Sequence, residues 1–181
     1  MATVSLFKTQ MLLDFIHIPK TAGVSICSAI GQTHGHRPRK IKQGAFVFSC
    51  VRNPYDRAVS LYYFLRDKAP NYKEQIMIEG ETVNTYWEER INQIRPVRFL
   101  QPQKAWLEDI EHIDKLIRFE TLAEDWAEMR QAFELPALEH KNGDTSRPST
   151  PWQEELTAES IAKIGEIYAD DFKYFNYKRI L

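Results

Sequence analysis

Apolar residues along the chain gather into three short, nearly unbroken runs, separated by longer stretches in which they recur at helical spacing. The first run, Leu12, Leu13, Phe15, Ile16 and Ile18, reads as a strand covered on both faces, as in a parallel sheet. Pro19 cannot donate to a ladder and ends it. Ile26, Ala29 and Ile30 follow at helical spacing and predict a helix over 24–31. The second run, 45–51 (AFVFSCV), predicts another buried strand. Arg52-Asn53-Pro54 closes it, with Asn53 as N-cap and Pro54 as first residue of a helix reaching about Arg66. Ala58, Val59, Leu61, Tyr62 and Leu65 form its inward face. A further helix is predicted over 82–94, with Trp87 and Ile91 on one side. The third strand is 115–119 (KLIRF), and the helix after it, 120–133, carries Leu122, Trp126, Met129 and Phe133 on its apolar stripe. Residues 135–152 are rich in Pro, Gly, Ser, Thr and Asn and predict a long loop with a ligand-covering role or local disorder. Thr157 caps the last helix, with Ile161, Ile164, Ile167 and Tyr168 inward, and Phe172, Phe175 and Tyr177 dock the end of the chain on the core. Strands alternating with helices predict a single domain over 1–181: an α/β fold of three layers, P-loop-like, with a central parallel sheet flanked by helices.

Composition narrows the function classes. The chain has 181 residues, 43% of them hydrophobic, and a net charge of -1, which suits one soluble domain and gives no overall pull toward nucleic acid or an anionic membrane. The N-terminal apolar run is too short to span a bilayer and lacks the form of a signal peptide, so the expected setting is cytoplasmic. Cys27 and Cys50 fall in a predicted helix and a predicted buried strand and read as free thiols. No Cys/His cluster has metal-ligand spacing, so no metal is expected.

Two stretches carry chemistry. In the turn Lys20-Thr21-Ala22-Gly23-Val24-Ser25 at the start of a helix, several backbone N–H groups converge, the helix dipole adds positive potential, Gly23 permits close approach of a ligand, and Lys20 supplies a full charge. That suits a phosphate-like anion, although an ordinary turn with a surface lysine has the same composition. It is not the nucleoside-triphosphate pattern, in which Gly-Lys-Ser/Thr closes the loop. The second stretch is 52–62 (RNPYDRAVSLY). Arg52 stands at the carboxyl end of a strand, where open α/β sheets bind ligands, and can grip a phosphate bidentately. Ser60, about two helical turns on, can donate to the same group. Arg57 can add a third contact to that group, but it is expected rather to tie the helix to an acidic neighbour.

Together, HIPKTAGVS and VRNPYDRAVSLYYF strongly resemble the two nucleotide motifs of the sulfotransferases that use 3'-phosphoadenosine 5'-phosphosulfate (PAPS). The similarity is to the carbohydrate-type branch, which includes heparan sulfate 2-O-sulfotransferase and small bacterial relatives. The resemblance implies that the first motif, Lys20 to Ser25, is the 5'-phosphosulfate loop, and that Arg52 and Ser60 bind the 3'-phosphate. Val24 stands where the family usually has threonine. Residues 101–107 and 117–122 resemble the family's middle segments. Asn142, Ser146 and Arg147 resemble its late loop, with Arg147 reaching or closing over the 3'-phosphate. A His-Gly-His like that of the 2-O-sulfotransferases lies between the motifs and implies His36 as catalytic base with His34 assisting. Glu79, Glu81, Glu88 and Glu89 are more distant candidates, and His17 reads as structural. The basic run Arg37, Arg39, Lys40 and Lys42 suits either an acidic polysaccharide or a solvated surface. Trp87 and Trp106 read as core rather than sugar platforms.

The expected reaction is transfer of a sulfuryl group from PAPS to the hydroxyl of a carbohydrate or glycan-like acceptor, without metal. Alternatives are the same chemistry on a small alcohol or lipid, a P-loop-type kinase, and a nucleotide-binding protein without turnover.

Overall fold

Three strands lie side by side and parallel: β1 (Leu13–Ile16), β2 (Phe46–Val51) and β3 (Lys115–Arg118), in that order. In register, Leu13 faces Phe46 and Ile16 faces Ser49, while Phe48 faces Lys115 and Val51 faces Arg118. The computed structural model describes residues 11–33, 35, 41–68, 80–93, 98–107, 112–139 and 147–180. His34, His36, Arg37, Arg39, Lys40, Glu79, His140, Asn142 and Ser146 lie outside them.

Side chains alternate across the sheet, so each strand feeds two layers. On one face Phe15, Phe48, Cys50 and Ile117 pack with Ile26 and Cys27 of α1 (Gly23–Ala29). On the other face Val51 joins Ile18, Leu107 and Phe175, with Ile16 and Trp106 against them. A third cluster is built on α2 (Pro54–Lys68), which contributes Tyr55, Ala58, Val59, Tyr62, Tyr63 and Leu65. Further helices are α3 (Leu122–Phe133), which sends Trp126 and Met129 into the first cluster, α4 (Ala158–Ile167) and α5 (Ala169–Tyr174). Thr157 caps α4 by accepting from the Ser160 N–H at 3.1 Å, as its position predicts. The fold is therefore mixed α/β, a three-stranded parallel sheet flanked by helices.

The stretch expected as one helix over 82–94 is irregular. A single turn, Val83–Thr85, runs into π-helical Tyr86–Arg90 and then a 3-10 turn, Ile91–Gln93. Tyr86 and Trp87 are adjacent in sequence yet both fully buried, their rings crossing edge to face at 5.2 Å. Trp87 is thus a core residue, as read.

Polar side chains finish what the strands leave open. The Gln32 side-chain amide accepts from the Phe15 N–H at 3.0 Å and donates to the Phe15 carbonyl at 2.8 Å. Asp114 Oδ2 accepts from the Val47 N–H at 2.7 Å. Cys27 and Cys50 are free and buried; burial pushes the Cys27 thiol up to about 11 and raises Cys50 as well, so neither ionises near neutrality. Among the described residues no helix is long and apolar enough to cross a membrane.

Candidate functional site

At the carboxyl ends of β1 and β2 the chain makes two tight turns that meet. Past β1 the backbone enters the left-handed region twice in three residues, at Lys20 (φ 67°) and Ala22 (φ 61°), neither of them glycine. Such conformations are strained for residues with a Cβ and persist only where surrounding contacts impose them. The contacts are visible. Arg57 Nε donates to the Pro19 carbonyl at 3.1 Å, and Arg52 Nη1 donates to the Lys20 carbonyl at 3.1 Å. Two arginines thus pull consecutive carbonyls toward α2. In a trans peptide the following N–H points the opposite way, so the amides of Lys20 and Thr21 face away from those guanidinium groups.

Thr21 is fully buried and donates its hydroxyl to the Ile18 carbonyl at 2.9 Å. Ala22 occupies the N-cap position without a capping side chain, and the first intrahelical bond of α1 runs from the Ile26 N–H to the Ala22 carbonyl. The amides of Gly23, Val24 and Ser25 therefore lie outside the helical ladder. Ser25 is buried and Val24 half-buried. Lys20 is half-buried, with Nζ 4.7 Å from the centroid of the Phe64 ring on α2.

Gly23 has a packing reason beside the ligand role expected of it. A Cβ built there would fall 1.8 Å from Cδ2 of His17, so it is an imidazole, not a ligand, that occupies that side of the glycine. His17 is buried and stacked on Phe15, a structural residue as read. Gly23→Ala must displace this ring and is expected to cost roughly 1–3 kcal/mol. Urea unfolding will measure it; an unchanged midpoint would mean the ring is elsewhere.

Past β2, Asn53 caps α2 as predicted, its side-chain oxygen accepting from the Tyr55 N–H at 2.9 Å. Arg52 is only 7% exposed. Its guanidinium stacks on Phe119 at 3.9 Å and gives Nε to Asp56 Oδ2 at 2.6 Å, besides the bond to Lys20. Arg147, from the late segment, donates Nη2 to the other oxygen of Asp56 at 2.5 Å. Burial alone would raise the Asp56 pKa, but Arg52 and Arg147 outweigh it and hold the carboxyl below its ordinary value. Ser60, also on α2, is buried, 6% exposed.

Of the residues singled out by sequence, Arg52 touches the turn at the Lys20 carbonyl and shares Asp56 with Arg147 near the start of α2. His34 and His36 are outside the described residues. Glu81 is paired with Arg90 at 3.4 Å, and Glu88 accepts from the hydroxyls of Thr157 and Ser160, so both serve the helical cluster. Arg57 is 1% exposed; its hydrogen bonds go to the carbonyls of Pro19, Phe99 and Gln101, while the acidic neighbour it was expected to have, Asp171, acts on it through charge alone.

Sequence reasoning missed three residues here. Asp56 was readable, because a carboxylate four residues after an arginine on a helix is a recognisable pair. Gln103 and Asp171 were not. The Gln103 side-chain amide clamps both backbone groups of Arg52, accepting at 2.9 Å and donating at 2.8 Å. Asp171 in turn accepts from the backbone N–H groups of Gln103 and Lys104 at 2.8 and 2.9 Å. These partners are more than fifty residues apart in sequence and carry no local signature.

A sequence model of the sulfotransferase family matches residues 29–178. The match takes in Arg52, Ser60 and Arg147 and begins just after the turn that carries Lys20. No curated protein and no solved structure matches the chain.

Proposed function

The chain belongs to the sulfotransferase family, and on that premise we propose that it moves the sulfuryl group of PAPS to a hydroxyl of a carbohydrate or glycan-like acceptor. The observation that carries the reading is the 3.1 Å bond from Arg52 Nη1 to the Lys20 carbonyl, which makes the two turns one site. A ligand with phosphate groups at both ends suits such a pair of neighbouring turns at the carboxyl end of a parallel sheet.

In this reading the amides of Thr21 to Ser25 hold the 5'-phosphate, and Lys20 neutralises charge growing on the oxygen between phosphorus and sulfur. Arg52 and Arg147 meet the 3'-phosphate, with the hydroxyl of Ser60 as a further donor. The acceptor oxygen attacks sulfur in line; the sulfur–oxygen bond to the 5'-phosphate breaks, leaving 3'-phosphoadenosine 5'-phosphate. His36, assisted by His34, takes the acceptor proton, a task for which imidazole is suited near neutral pH. Catalysis then rests on positioning and on fixed cations that offset developing negative charge.

Titration calorimetry with 3'-phosphoadenosine 5'-phosphate tests the donor site. Binding of this nucleotide, with magnesium-ATP much weaker, is the expected result; the reverse order removes the reading. Labelled PAPS offered to sugars, small alcohols and lipids then identifies the acceptor class.

A further inference from the structure

We propose that Asp56 is a positioning residue that selects for the 3'-phosphate, by holding Arg52 and Arg147 as one rigid pair of cations. The proposal rests on the PAPS reading above. Its basis is geometric. Each Asp56 oxygen takes a different arginine: Oδ2 takes Nε of Arg52 at 2.6 Å and Oδ1 takes Nη2 of Arg147 at 2.5 Å. The two arginines are far apart in the chain, one after β2 and one in the segment before α4. The shared carboxylate is the hydrogen-bonded link between the Arg147 side chain and α2.

Charge counting gives the carboxylate its purpose. Two neighbouring guanidinium groups repel each other, and one of them is nearly excluded from water. A single carboxylate between them lowers that repulsion, and the trio keeps a net charge of +1. Because Asp56 is held ionised by both arginines, it persists as an anion through the neutral range. The guanidinium fork is planar with five donors, so fixing one edge on Asp56 fixes where the remaining N–H groups point. In Arg52 the orientation is further set by Phe119 against its face and by the Lys20 carbonyl on Nη1. A phosphate placed beside the pair meets preoriented donors and does not have to order them.

The carboxylate thus acts through the arginines, and its loss should be felt only by ligands that carry the 3'-phosphate. Adenosine 5'-phosphate has the 5'-end alone and reports on the Lys20 turn. The experiment compares calorimetric affinities of 3'-phosphoadenosine 5'-phosphate and adenosine 5'-phosphate for the wild-type protein, Asp56→Asn and Asp56→Glu. Asp56→Asn is expected to lower affinity for the bisphosphate roughly tenfold, the scale of lost charge-assisted hydrogen bonds, and to leave the monophosphate nearly unchanged. Asp56→Glu, which restores the charge, should recover part of the loss. An equal fall for both ligands would make Asp56 merely structural and overturn the proposal. Unchanged or tighter bisphosphate binding in Asp56→Asn would overturn it too. A wild-type protein that shows no preference for the bisphosphate would instead remove the donor assignment itself, and the proposal with it.

Discussion

Lys20→Ala is expected to reduce turnover by roughly 10²- to 10³-fold, with affinity for 3'-phosphoadenosine 5'-phosphate changed only a few-fold. The asymmetry follows from when the charge appears. In the ground state the bridging oxygen of PAPS carries little charge of its own, and the loop amides and the arginines hold the nucleotide. As sulfur departs, negative charge builds on that oxygen, and only then does the ammonium gain a strong partner. An interaction made mainly in the transition state shows in kcat rather than in binding. Nζ lies against the Phe64 ring, so the cation is kept on the α2 side of the turn rather than free in solvent. Single-turnover transfer from labelled PAPS, with calorimetry alongside, separates the two quantities. An alanine variant with wild-type turnover would strip Lys20 of its role.

Arg57→Leu is the substitution expected to damage the fold most. The leucine fills part of the volume but donates nothing, and the carbonyls of Pro19, Phe99 and Gln101 lose the donors that reach them at 3.1, 3.0 and 3.1 Å. Each buried carbonyl left without a donor costs about 1–3 kcal/mol, so a loss of roughly 3 kcal/mol or more is expected. Urea denaturation should show a much lower midpoint. Arg57→Lys should recover only a fraction, because one ammonium cannot reach three carbonyls in a fixed fork. The affected segments include the residue just before Lys20, so a variant that still folds should bind the 5'-end of the nucleotide more weakly.

The three strands, their order of appearance and the capped start of α2 were legible because their signals are local. Pro19 and Pro54 punctuate the chain, Asn53 caps, and the runs around Phe15 and Phe48 are too apolar for a solvated face, while 115–119 shows a shorter apolar core around Ile117. The stretch 82–93 kept its buried side but not its winding: apolar spacing marks a face and does not count the residues in a turn, so π-helical Tyr86–Arg90 looked like an ordinary helix. Arg57 was half legible: a charged side chain invites a search for the opposite charge, and Asp171 supplies one, but its hydrogen bonds go to backbone carbonyls, which every residue has and no sequence displays. Gly23 also answers to His17, six residues before it, a demand no local pattern shows. The meeting of Arg147 with Asp56 spans 91 positions and needed coordinates. The residues around the turns were therefore identifiable one by one, while the links among them were not.

The bond pair from Gln32 to Phe15 has a consequence for how the molecule behaves in a crowd. Among the described residues β1 is the outermost strand of its sheet, and the mid-strand N–H and carbonyl of Phe15 would otherwise present a template on which a foreign strand could nucleate. The glutamine amide copies the donor–acceptor face of a neighbouring backbone and seats itself there first. Any would-be cross-β recruit must evict that side chain before it can zip along β1, so one residue acts as a stopper against sheet extension and self-adhesion on this flank.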